Sequence, residues 1–159
     1  MRKGYLPTSE FLKAVIAEEV PLSGSELAEA NLNELIKLTR DEDRANRDWA
    51  TFLLAQEETD TAAIRDALTR AAKDEDDVVR AEAVLGLAQR DPLLALPLVR
   101  EALGADAITV PMLEAAALCA HPSLIADLRV WAQPSDMPYA DELAAEALAA
   151  CEKATPSDS

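Results

Sequence analysis

The stretch Asp74 to Ala88 recurs upstream at an offset of 33 residues, and this repetition constrains the fold more than any other feature of the chain. The two copies agree at the acidic turn (Asp41/Asp74, Glu42/Glu75, Asp43/Asp76), at Arg47/Arg80, at Ala50/Ala83, and at Leu54/Leu87, Ala55/Ala88 and Gln56/Gln89. Self-similarity at this period marks stacked helix pairs, because one pair alone is too small to bury its own apolar face.

Composition agrees with helices. Half of the 159 residues are apolar, aromatic residues make up only 4%, and there are four glycines, so Ala- and Leu-rich helices are favoured over strands and over Gly-rich phosphate loops. The formal charge is −15, with 15 Lys and Arg against 30 Asp and Glu. No basic cluster interrupts this acidity, so nucleic acid, which needs Lys or Arg to release counterions from its phosphates, is excluded as a partner. No window approaches a membrane span, and Pro7 and Glu10 fall before any apolar run long enough for a signal peptide. Cys119 and Cys151 lie in Ala-rich helical segments, as buried free thiols of a reducing cytoplasm would.

Taken in order, residues 1 to 7 read as a loose arm. Thr8 or Ser9 then caps a short helix carrying Phe11, Leu12, Val15 and Ile16, which stops before Pro21. Ser23 and Glu26 stand in capping-box positions before a helix reaching Thr39, and its partner runs from Arg44 to Gln56. A second pair spans Thr61 to Lys73 and Val78 to Gln89. A third runs Pro92 to Leu103, with Pro97 expected to kink or split it, and then Val110 to Ala120. A fourth runs Ser123 to Ala132 and Pro138 to Glu152. The fold expected is therefore all-α, an α-α superhelix of four helix pairs in residues 26–152. Residues 1–25 supply an arm and a capping helix, and 153–159 a disordered tail. Asp41, Asp74, Asp106 and Asp136 become the turn acids, and Ala50, Ala83, Ala115 and Ala145 the small residues buried in register.

The pattern Asp74-x-Asp76-x-x-Val79-Arg80-x-x-Ala83-x-x-x-Leu87 resembles the HEAT repeat, particularly the short variety named for phycobilisome lyases. The resemblance implies a ladder between repeats made by Asp41, Arg47, Asp74 and Arg80, and a concave face lined by the second helix of each pair. Met112 and Glu142 stand where the third and fourth repeats should carry Arg, so the ladder is not expected to continue through them.

A catalytic reading finds no support in the residue set. His121 is the only histidine and precedes a proline, so it reads as a turn residue, and no Ser/His/Asp, Cys/His or metal-binding constellation can be assembled around it. Iron-binding helical-repeat enzymes such as deoxyhypusine hydroxylase need several His-Glu pairs. The runs Asp41-Glu42-Asp43 and Asp74-Glu75-Asp76-Asp77 lack the central Gly and closing Glu of a calcium loop and read as helix-start charges. No cofactor and no metal are expected. What the chain offers instead is a docking surface for a protein or peptide, with Asp48, Glu82, Glu114, Asp141, Glu142 and Glu146 as an acidic wall attracting a basic partner. Trp49 is either an exposed anchor on that wall or a residue packed under the N-terminal helix. An acidic inhibitor or immunity-type protein is the alternative, and a lyase-like enzyme subunit a more distant one.

Overall fold

The computed structural model describes residues 5–154, and among these the secondary structure is helical throughout. Helix α1 (Glu10–Ile16) precedes four consecutive pairs: α2 (Glu26–Leu38) with α3 (Arg44–Gln56), α4 (Ala62–Ala71) with α5 (Asp77–Arg90), α6 (Pro92–Leu103) with α7 (Val110–Cys119), and α8 (Ile125–Trp131), entered by a short 3-10 turn at Pro122–Leu124, with α9 (Pro138–Ala154). The chain divides into two compact units, Met1–Gly86 and Leu87–Ser159. Lys153 and Ala154 close α9, and the remainder of the expected tail lies outside the described residues, as do residues 1–4 of the expected arm.

Local chemistry starts these helices. Ser9, Ser25 and Thr61 accept hydrogen bonds from Leu12, Ala28 and Ile64, satisfying amides that have no partner inside their helices. The capping box expected at Ser23 and Glu26 is not formed, because Ser25 takes the cap and Glu26 becomes the first helical residue. Helix α6 is not split at Pro97. The ring lies on the exposed side, where water can take up the carbonyl that proline leaves without an amide partner.

In the first unit the core is built from Leu12, Leu35, Leu54, Ile64, Leu68 and Val79, each fully buried. Helix α5 is buried continuously from Ala81 to Ala88, which explains its lack of a one-sided apolar stripe. Gly86 lets it approach α3. A Cβ at Gly86 would lie 2.7 Å from Ala55 Cβ and 3.1 Å from Ala55 Cα. In the second unit Leu113, Leu124, Leu128 and Val99 form the corresponding core.

Ala50, Ala83 and Ala115 are fully buried, but Ala145 is exposed, and its neighbour Ala144 occupies the core position. The register expected for the fourth repeat is thus one residue too late. A three-residue difference in period hid the slip, since Ala stands at both positions.

Gly86→Ala should therefore lower stability. Overpacking of about 1–3 kcal/mol opposes the gain of about 1 kcal/mol that alanine normally brings to a helix. Gly104→Ala, whose Cβ meets nothing closer than the Glu101 carbonyl at 3.6 Å, should be neutral or slightly stabilising, and urea denaturation of both variants measures the contrast.

Candidate interaction site

The turn between the helices of each pair organises the site residues. Asp41 Oδ2 accepts from the Asp43 amide at 3.1 Å, and Asp74 Oδ1 from the Asp76 amide at 2.9 Å. Asp43 then caps α3 through the amides of Ala45 and Asn46, as Asp76 caps α5 through those of Val78 and Val79. One helical turn on, Arg47 Nη1 donates back to the carbonyls of Asp41 and Glu42 at 3.2 and 3.1 Å, and Arg80 Nη1 to those of Asp74 and Glu75 at 2.8 and 3.0 Å. Each guanidinium thus brackets its own turn. Arg47 Nε also donates to Asp74 at 3.0 Å, both side chains being largely buried, and Arg44 pairs with Asp76 beside it. These two rungs tie the first repeat to the second.

The later repeats solve the same problem differently. Met112 is buried where Arg would stand, and Asp106 is exposed. In the fourth repeat the turn residue is Ser135 rather than Asp136, because Ser135 Oγ accepts from the Met137 amide at 3.1 Å. Asp141, three residues before Ala144, then accepts from Ser135 N at 2.7 Å and Ser135 Oγ at 2.6 Å. The contact spans the same six residues as Arg47 to Asp41, with donor and acceptor exchanged.

The expected acidic wall is not assembled as a solvated face. Asp48 and Glu82 are buried and Glu114 is half-buried, while Asp141 is engaged by its turn; only Glu142 and Glu146 are exposed. Of the two readings of Trp49 the structure has the packed one, since the indole retains only 4% of its accessible surface and is not an exposed anchor. The cause is the N-terminal segment, which is seated on α3 rather than loose over Tyr5–Pro7. Trp49 Nε1 donates to the Tyr5 carbonyl at 3.0 Å, and Asn46 Oδ1 accepts from the amides of Thr8 and Ser9 at 2.9 and 3.0 Å. Asn46 was not singled out from the sequence. Its position inside a helix, where Asn is a poor helix former, was the available signal.

Beside Trp49 lies a groove of about 410 Å³ in the first unit. Val15, Ile16, Val20, Leu22, Phe52 and Leu53 make its apolar surface, with Glu18, Glu57 and Gln56 among its polar lining. Phe52 meets Trp49 edge to face, with ring centroids 5.8 Å apart. Glu18 holds a left-handed backbone with φ 59, closing α1 through the bonds Glu18 N to Val15 O and Glu19 N to Ala14 O.

Neither thiol is activated. Burial pushes Cys119 up to about 11, with a smaller contribution from Cys151, and burial raises Cys151 as well, so both stay protonated near neutral pH. His121 Nδ1 accepts from the Ser123 amide at 3.1 Å and so caps the turn before α8. Among the described residues no three His, Cys, Asp or Glu side chains converge as metal ligands, and no helix is long and apolar enough to cross a membrane.

Asp76 gives the rungs a pH signature. Its hydrogen bond to Arg44 holds the carboxyl below the usual range, against the opposing effect of burial, and the Val78 and Val79 amides act in the same direction as Arg44. A depressed folded-state pKa contributes stability above the ordinary carboxylate range and loses it as pH falls through that range towards the lowered value. Asp76→Asn, which keeps a capping side chain but removes the charge, should be less stable than the parent at pH 7. The two urea midpoints should converge below about pH 4, and parallel curves down to acid would show that the charge contributes nothing.

Residues 32–111 match the HEAT repeats family. No curated protein matches the chain. Among solved structures, the X-ray structure of YibA from Escherichia coli superposes with a TM-score of 0.63 at 22% identity, covering 89% of this chain and 55% of YibA. The chain thus spans about half the length of that relative, and at this identity the likeness concerns the fold. Repeated turn acids, the bracketing arginines and a family match across half of the sequence lead to one assignment: the chain belongs to the HEAT-repeat family.

Proposed function

We propose that this protein is a non-catalytic interaction module, with a docking site in the apolar groove beside α1 and α3 of the first unit. The observation that carries the reading is the pairing of half-buried Ile16, Val20, Leu22, Phe52 and Leu53 with Glu18 and Glu57 around one groove. Such a site takes a short protein segment that presents apolar side chains next to Lys or Arg. Apolar contact supplies residence time, and the carboxylates, in a chain of net charge −15, supply orientation and steering. Two protonated thiols suit a reducing cytoplasm. We take residues 26–152 as the repeat domain, with 1–25 as its N-terminal addition.

The second reading, an inhibitor or immunity-type protein for a basic partner, draws on the same net charge and on exposed Glu142 and Glu146 of the second unit. It makes charge the main determinant of binding, whereas the groove reading makes the apolar surface necessary.

Selection of a displayed random-peptide library against the full chain separates the two. Enriched sequences should combine Leu, Ile or Phe with Lys or Arg. Their binding should weaken about tenfold or more with Leu53→Asp, a loss of at least about 1.4 kcal/mol, and their association should slow as salt is added. Basic peptides indifferent to Leu53→Asp would favour the charge-driven reading, and acidic or unenriched sequences would contradict both.

A further inference from the structure

Three hydrogen bonds from α3 engage the main chain of the N-terminal segment. Trp49 Nε1 takes the Tyr5 carbonyl, and Asn46 Oδ1 takes two successive amides, those of Thr8 and Ser9. Asn46 Nδ2 donates to Thr8 Oγ1 and to Asp41 Oδ2, each at 2.9 Å, so the repeat's own turn acid fixes the amide with its oxygen towards the arm. Asn46 and Trp49 are three residues apart and therefore neighbours on one face of α3. At the corresponding positions of the second repeat stand Val79 and Glu82, which cannot make the same pair of contacts.

Side-chain selectivity on this face is limited and legible. Pro7 is buried, Thr8 contributes its hydroxyl, and the Tyr5 hydroxyl accepts from Arg44 Nη1 at 3.2 Å, whereas Leu6 is 61% exposed. The pattern read is an aromatic hydroxyl, any residue, proline, then Ser or Thr. Between Tyr5 and Ser9 only Pro7 is buried, so the hold rests on hydrogen bonds at an accessible edge, each of modest net strength. A covalently attached segment needs no more than that, because tethering supplies an effective concentration in the millimolar range.

We propose that this face of α3 is a recognition site for a non-helical partner segment of the type Tyr-x-Pro-Thr/Ser, which residues 5–8 of the chain occupy in cis. An incoming segment must displace the arm, so its apparent affinity is scaled down by the small fraction of molecules in which the arm is released. Trp49 also lines the groove, but this inference rests on the hydrogen bonds made by Asn46 and by Trp49 Nε1 and does not depend on the docking role proposed for that groove.

The probe is a fluorescently labelled, C-terminally amidated peptide of residues 1–8, titrated by anisotropy into the full-length protein and its variants. Thr8→Pro removes both the amide hydrogen and the hydroxyl that Asn46 engages while leaving α3 intact, so it should bind the peptide about tenfold or more tightly than the parent does. Adding Asn46→Ala should return binding to background, and a scrambled peptide should not bind. Equal binding by parent and Thr8→Pro, or binding that survives Asn46→Ala, overturns the proposal. Hydrogen exchange on the parent protein gives a test that no variant's folding can obscure. The Thr8 and Ser9 amides should exchange about a hundredfold or more faster than the core amide of Leu54, through local release of the arm. Exchange of all three at one rate would make the arm a permanent part of the fold and exclude displacement.

Discussion

A charged side chain on the second helix of a pair, reaching back six residues to the turn that precedes it, is the constraint on which the repeats depend. The turn must reverse the chain between two helices and leaves carbonyls without helical partners. Arg47 and Arg80 satisfy two such carbonyls each, just before the capping acids Asp43 and Asp76 that start the second helix of each pair. Because Arg47 also reaches Asp74, a local solution to chain reversal becomes the link between one repeat and the next. A planar guanidinium suits this task better than an ammonium, since its several donors serve the carbonyls and the neighbouring carboxylate at once.

The fourth repeat shows that the geometry matters more than the identity of the residue. Asp141 accepts from Ser135 across the same six-residue span, so the hydrogen bonds run in the opposite direction while the turn is still pinned to its helix. The third repeat has buried Met112 at this position. No charged side chain stands there, and the turn acid Asp106 is exposed to solvent.

Much of this was legible in the sequence because it is periodic. The turn acids Asp41 and Asp74, the alanines at 50, 83 and 115, and the helix pairs all follow from a repeat that each unit must obey to bury its own apolar face. What escaped reading is aperiodic or inverted. Ser135 and Asp141 do not resemble Asp74 and Arg80, so the sequence pattern places the fourth repeat at Asp136 and Ala145, one residue late. Trp49 and Asn46 take their burial from a segment roughly 40 residues earlier, and nothing local to α3 predicts that contact. Charge on a second helix was also a poor guide to solvation. Asp48 and Glu82 are buried in spite of it, whereas Glu142 and Glu146 on α9 are exposed.

If the repeats depend on this constraint, the link between Arg47 and Asp74 carries stability of its own. A double-mutant cycle measures it directly, using Arg47→Ala, Asp74→Ala and the pair, each followed by urea denaturation at pH 7. The guanidinium and carboxylate are 14% and 11% exposed, so screening by solvent is limited and a coupling energy of about 1–3 kcal/mol is predicted. A coupling indistinguishable from zero would contradict the account and reduce the ladder to neighbouring turns that happen to share a sequence.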